Sequence, residues 1–426
     1  VADAAVVLLP VAQTRWIAPP RSTLTRVADT LITETGAVAE LAERVRAAGR
    51  FAIDTEFLWE KTYAPVLCLV QVAVGDEIVL IDPLAGASLV PIAALLADPA
   101  VEVLMHAPSA DLLAFALHHE VRPTGIIDTQ LIAGFVGLTA SASLERLLAD
   151  GLKVTVNHHE SFSDWKRRPL SASQLEYAGD DVRWLAELVD ELRRRLDVQG
   201  RTAWAEDELA RRYPDGDDPT PDPLEAYRRV QRRGRLSARQ MAVLREVAAW
   251  REREARRRDL PTGWVMKDPT LVEVARVAPA TADALARVRG VAGIRPPDAA
   301  TLIAAIEVGK LAEPIAPGSP APPAVARRAD AASGLGGTLV KVRCTEAGIA
   351  PELVATRAEL DEFLESVIMG TGGTGPLATG WRRELVGDEL IALVEGRVAL
   401  SLAERPPYLV IGAVGRGLAP SDVSRL

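Results

Sequence analysis

The chain has 426 residues, 48% hydrophobic, 4% aromatic and 25% charged, with a formal net charge of −9. That length exceeds one ordinary core and predicts two or three domains, and the acidic balance excludes a basic surface spread over the whole chain. Two distant cysteines, Cys68 and Cys344, exclude a disulfide framework or a cysteine-based zinc site, and no long uncharged apolar run predicts a membrane span.

Residues 1–30 read as an N-terminal segment whose most strand-like stretch is LTRVADT; its opening VADAAVVLLP is too short, and lacks the basic start, for a secretory signal, so a cytoplasmic protein is expected. A first domain is expected over 31–210. It opens with a helix over Ala37 to Val45, capped by Thr33 or Thr35 and stopped by Gly49. FAIDTEF, VLCLVQVAV, EIVLIDPL and VEVLMHA follow as strands of a mixed sheet, the leading ones as an antiparallel meander, and SADLLAFALHHE as a helix. SASLERLLAD predicts an amphipathic helix capped by Ser141. SASQLEYAGDDVRWLAELVDELRRRL predicts one long helix capped by Ser171 or Ser173, after the polar connection HHESFSDWKRRPL. The Pro- and Asp-rich stretch 211–223 reads as a linker. A helical module over 224–311 follows, with Gly290 in a turn. Its part from Glu225 to Leu260 holds twelve arginines and five acids, a local net of +7. The Pro-, Ala- and Gly-rich 312–337 reads as a second linker, and 338–426 as a third, helical module.

Four acids carry the chemistry. Asp54 and Glu56 are two apart on a strand and therefore share a face, whereas Ile53, Thr55 and Phe57 face the other side. Carboxylates set together repel unless a cation neutralises them, and hard divalent magnesium or manganese prefers such oxygen donors. Asp111 lies at a helix start. Tyr177 and Asp181 are four apart on one helix face, with Asp180 turned about 100° away. Two ions on such a set would activate water and stabilise the charge that gathers on a phosphodiester. A neutral tyrosine hydroxyl beside them would orient that water.

The segments FAIDTEF, VLCLVQVAV, HAPSADL, IIDTQLIA, SDWKRRPL and LEYAGDDVRWL, in order over about 31–200, resemble the ribonuclease D family of 3′–5′ exonucleases, whose third motif is Tyr-x-x-x-Asp. The resemblance implies a ribonuclease-H-like mixed α/β sheet flanked by helices, with Asp54, Glu56, Asp111 and Asp181 as ligands of two divalent cations and Tyr177 positioning the water. It implies an accessory helical domain, shared with some helicases, over 224–311. It further implies a second, diverged copy over 338–426, both as small all-α bundles in a ring-like arrangement. The partner it implies is RNA with a free 3′ end, transfer-RNA precursors included. One departure is His158, where relatives usually carry lysine.

Lesser candidates surround the acids. Asp128 reads as a cap or a support behind the metal ligands, and His106 as a group that hydrogen-bonds within the site or is simply structural. Gln71, polar in an apolar run, reaches the substrate or satisfies backbone. Trp165, Arg167 and Arg168 offer stacking and phosphate contact, or a packed loop. The arginines from Arg228 to Arg258 form an RNA-backbone surface or a solvated face. A DNA exonuclease and a non-catalytic RNA-binding scaffold are the rival readings.

Overall fold

The computed structural model describes residues 31–156, 160, 163–231, 233, 236–291, 294–315, 322–402, 404 and 409–413. The first thirty residues, with the LTRVADT stretch, and His158 lie outside them. Among the described residues no helix is long and apolar enough to cross a membrane.

The first half of the chain folds around a six-stranded mixed sheet. Its elements run β1 (Leu31–Ile32), α1 (Thr35–Ala48), β2 (Arg50–Leu58), β3 (Val66–Val74), β4 (Glu77–Ile81), α2 (Val90–Leu96), β5 (Glu102–Met105), α3 (Ser109–His119) and β6 (Ile126–Asp128). Helices α4 (Thr129–Ala133), α5 (Leu144–Gly151), α6 (Ala172–Arg183), α7 (Leu185–Gln199) and α8 (Thr202–Arg212) follow. The sheet order is β1-β4-β3-β2-β5-β6. β2, β3 and β4 form the expected antiparallel meander, and β5 and β6 add in parallel.

Strand alternation splits the core into two layers. Phe51, Ile53, Val70, Val72 and Val103 face one side, where α1, α2 and α3 cover them with Val38, Leu41, Ile92, Leu112 and Phe115. Ala52, Leu69, Leu80 and Leu104 face the other, covered by α4 to α8 through residues such as Ala178, Val182 and Leu188.

Local details differ from expectation where tertiary contacts compete. Thr35 begins α1 after Glu34, and neither Thr33 nor Thr35 caps it; the Thr35 hydroxyl accepts from Ser88 N (3.1 Å) instead, while Gly49 stops the helix at φ 72°. Ser143 rather than Ser141 caps α5. The long helix caps at Ser171 with a full capping box, then breaks at Trp184 into α6 and α7.

A helical module follows around α9 (Ala238–Arg258), with helices Asp268–Val277 and Pro296–Leu311 packed against it. Gly290 sits at φ 91°, and a Cβ there would stand 2.3 Å from Thr270 Oγ1, so only glycine fits this turn. The second expected linker is largely helix, because Pro323–Ala347 is one continuous element. Its small residues serve close packing: Gly336 lies where a Cβ would meet Leu390 and Leu364 at 3.2 and 3.3 Å. The last module is not purely helical either, ending in an antiparallel hairpin, Val398–Leu402 with Leu409–Ala413.

Candidate active site

β2 leads Asp54 and Glu56 onto the face that α6 covers, and a register shift after Glu56 bends the strand there. α3 lies on the opposite layer, yet its first turn brings Asp111 to the same end of β2, where the Thr55 hydroxyl donates to the Asp111 carboxylate. Thr55, buried at 6% exposure, faces away from the acids beside it and thereby holds the acid that comes from the far layer. α6 supplies Tyr177 and Asp181 from the near layer, and the Tyr177 hydroxyl hydrogen-bonds to Asp181. Asp180 turns aside to Arg183 (2.8 Å), so helical period correctly separates the two neighbouring aspartates.

The electrostatics show that these acids meet. Burial, and then the charges of Asp111, Asp181 and Glu56, push the Asp54 carboxyl well above its ordinary value. Burial followed by the charges of Asp181 and Asp111 raises Glu56 to about 9. Burial raises Asp181 to about 7, with Asp180 adding and Tyr177 opposing, and raises Asp111 to about 6 against the hydrogen bond from Thr55. Among the described residues no group of three or more Asp, Glu, His or Cys side chains is closed tightly enough to hold a metal as it stands. The donor set nevertheless fits a hard divalent cation: it is all carboxylate, it converges from three elements, and burial, with the neighbouring acids' charges at Asp54 and Glu56, raises its members above their ordinary values.

The lesser candidates separate clearly. Gln71 pairs across the strands with Asp54 and is fully buried, and neither of its amide atoms has a hydrogen-bond partner among the described residues, so it does not satisfy backbone. Trp165 is 2% exposed and packs on Tyr177 with ring centroids 5.9 Å apart, which makes it a wall for the tyrosine rather than an open stacking face. Arg168 is committed to Asp82 (2.6 and 2.7 Å) and to Cys68 O (2.8 Å), bracing the segment before α6 onto the sheet. Arg167 is exposed. His106 Nδ1 lies 2.9 Å from Thr129 Oγ1, and burial holds its ring below the usual histidine value, hence neutral at pH 7.

Asp128 supports the site from behind. Buried at 4% exposure, it caps α4 through Gln130 N (2.9 Å), accepts from Ala107 N (2.9 Å), and receives the Tyr213 hydroxyl (2.9 Å). Ala107, at φ 53°, is the turn that sends the chain from β5 into α3 and so aims Asp111. Replacing Asp128 with Ala should therefore lower kcat about 10- to 100-fold, the range for groups that orient metal ligands. Manganese titration by calorimetry should weaken in parallel; unchanged affinity would mean that the turn is held without it.

Thr55, Asp82 and Tyr213, which bond the candidate residues Asp111, Arg168 and Asp128, are contacts that sequence reading missed. Only Thr55 left a signal, as the hydroxyl between the two acids of the DTE motif. The Arg-rich stretch is also less basic than its letters. Arg257 and Arg258 bind Glu254, Arg258 also binds Asp298, Arg251 binds Asp268, Arg228 binds Glu225 and Arg229 faces Glu252.

Comparison with known proteins agrees with this geometry. Residues 30–197 match the 3′–5′ exonuclease family, and residues 240–295 match the HRDC domain. The chain is 37% identical to the ribonuclease D of Gluconacetobacter diazotrophicus over 380 residues, covering 87% of this chain and 94% of that protein. It is 34% identical to that of Acidiphilium cryptum, covering 88% and 95%. The crystal structure of Escherichia coli RNase D, described as an exoribonuclease involved in structured RNA processing, superposes with a TM-score of 0.69 at 30% identity, covering 86% of this chain and 98% of that one.

Proposed function

The chain belongs to the ribonuclease D family, and from that premise we propose that it is a hydrolytic 3′–5′ exoribonuclease releasing nucleoside 5′-monophosphates. Its substrates are RNAs with a free 3′ end, transfer-RNA precursors among them. The observation that carries the reading is the convergence of Asp54, Glu56, Asp111 and Asp181, where burial and then the charges of Asp111 and Asp181 raise both Asp54 and Glu56, with Tyr177 bonded to Asp181. In this reading the four carboxylates hold two divalent cations, magnesium or manganese. When bound, these supply a nucleophile from water and neutralise charge on the scissile phosphate and the leaving 3′-oxygen. Tyr177 keeps its proton, and its hydroxyl, fixed between Trp165 and Asp181, orients the attacking water. Thr55 and Asp128 hold Asp111 to its place. The helical segments 224–311 and 338–426 serve as accessory domains that bracket the substrate, the second a diverged copy of the first.

Precursor transfer RNA with short 3′ extensions, digested with magnesium or manganese, tests this directly. Stepwise shortening with 5′-monophosphates as products is expected. Shortening of a matched DNA strand alone would replace RNA by DNA as substrate, and no shortening of either would leave a binding scaffold.

Metal should also be visible in stability. The unfolded acids titrate near 4, whereas Asp111, Asp181 and Glu56 in the folded chain titrate at about 6, 7 and 9. The folded state thus binds more protons across that window, and their contribution to stability, full below about pH 4, is lost as pH rises towards 9. A divalent ion removes the repulsion and displaces those protons. The rise in Tm on adding manganese should be larger at pH 8.5 than at pH 5.5, as read by differential scanning calorimetry. An equal rise at both would count against the carboxylates as the binding site.

A further inference from the structure

A cleft of about 450 Å3 runs between the loop after β2 and the first helical module. Trp59 and Tyr63 line it from the loop, Leu113 and Leu117 from α3, and Arg229 and Arg251 from the module. Two of these walls also build the catalytic site, since β2 carries Asp54 and Glu56 and α3 carries Asp111. Trp59 lies three residues beyond Glu56, roughly 10 Å along an extended chain.

The lining has a definite chemical character. Trp59 is 49% exposed, although its Nε1–H donates to Tyr63 O (2.9 Å), so the ring is pinned by its edge. The loop itself is fixed, because Asp259 at the end of α9 accepts from both Tyr63 N and Ala64 N at 3.0 Å. Arg251 is 6% exposed. Its Nη1 serves Met266 O (3.0 Å) and Asp268 (2.6 Å), but its buried Nε–H has no partner among the described residues. A buried donor left unmet is costly, and because Arg251 lines the cleft, a water or a ligand oxygen entering there is the acceptor at hand. Two of the cleft's acids are already engaged: Glu252 accepts from the Tyr63 hydroxyl (2.9 Å) and faces Arg229 (3.6 Å), and Asp268 holds Arg251 and Gln231 N. An aromatic face, one unmet donor, the paired charges and the further acid Glu60 suit a flat uncharged ring with a carbonyl oxygen better than a phosphate.

We propose that this cleft is a nucleobase subsite. It takes a base of the RNA a few positions in from the 3′ end, stacked on Trp59, with a base carbonyl accepting from Arg251 Nε. Uracil, cytosine and guanine carry such an oxygen and adenine does not. The proposal rests on the exoribonuclease reading above and adds to it a grip on the strand upstream of the cleaved bond. The volume lies within the about 300–1,000 Å3 of small-ligand pockets.

The test uses the full chain, manganese and single-stranded RNAs that carry one abasic residue at successive positions from the 3′ end. In the wild type one position should stand out, with KM raised about tenfold, as expected for a lost base–aromatic stack, and kcat changed far less. Adenine at that position should bind more weakly than uracil. Trp59→Ala should lose the position dependence, Trp59→Phe should keep most of it, and melting curves confirm that both variants fold. A flat profile in the wild type, or a Trp59→Ala profile that keeps its peak, overturns the subsite while leaving the exoribonuclease intact. Failure of the unmodified RNA to be shortened at all overturns the exoribonuclease reading, and the subsite falls with it.

Discussion

Asp54→Asn should reduce kcat on a 3′-extended RNA by roughly a thousandfold or more, while the metal-free protein melts no earlier than wild type. The first half follows from what the carboxylate does. Asp54 is the acid against which Asp111, Asp181 and Glu56 all press, so it stands among all the carboxylates that would hold the cations. Losing a ligand there forfeits several kcal/mol of charge stabilisation, and each 1.36 kcal/mol is about tenfold in rate. The second half follows from the repulsion. An amide of the same shape takes away the ionised form that burial and the charges of Asp111, Asp181 and Glu56 disfavour, so stability without metal holds or rises. Asp180→Asn is the matched control: the same chemistry one residue from Asp181, at a side chain engaged with Arg183, should stay within a few-fold of wild type. Single-turnover rates read the first effect and calorimetry the second. A rate loss shared equally by both variants would mean that helical period has been misapplied on α6.

How much of this was legible depends on how far each signal travels along the chain. Asp54 with Glu56, and Tyr177 with Asp181, are local: two residues apart on a strand and four on a helix put them on common faces whatever the rest of the fold does. The strand VLCLVQVAV is equally readable, because nine nearly continuous apolar residues leave little choice but a central strand. The bond from Thr55 to Asp111 is not legible in the sequence, for a geometric reason. Alternation correctly turns the threonine away from Asp54, but the helix bearing Asp111 packs on that other layer, and only the three-dimensional path of α3 brings hydroxyl and carboxylate together. The sequence leaves Arg168 between phosphate contact and a packed loop because a guanidinium in a polar connection looks free until a partner 86 positions away, Asp82, is known. The Ala- and Gly-rich segment before residue 338 looked like a linker since its composition lacks large apolar anchors. It is a helix because those small side chains let it approach the helix Arg357–Ile368 closely.

The strongest tie between the last module and the catalytic domain should fail when Arg382 is cut to Ala, at a cost of about 3–5 kcal/mol to the docked state. Arg382 and Glu208 are both nearly fully buried and meet at 2.5 Å, and the guanidinium also donates to Leu353 O and Val354 O. Around them Trp381 stacks on Trp204 at 5.5 Å and meets Phe135 edge-on at 5.2 Å. Arg201 of α8's first turn reaches Phe135 O and Gly348 O, and Ala350 N donates to Gly134 O (2.8 Å). The apolar residues of this seam belong to the same core as α4 to α8, so the module is packed as part of the catalytic domain's far layer. Removing Arg382 alone strands the Glu208 carboxylate in that core; Arg211 also bonds it but is half-exposed and shares it at the rim. Taking out both partners, as Glu208→Met with Arg382→Met, leaves no stranded charge and should recover most of the loss. Hydrogen exchange over Pro323–Ala347 and Arg357–Ile368 distinguishes the outcomes: faster exchange in Arg382→Ala that reverts in the double variant is expected. Equal protection in all three would mean that the tryptophan stack alone holds the module, and that the buried pair specifies its orientation without contributing to its stability.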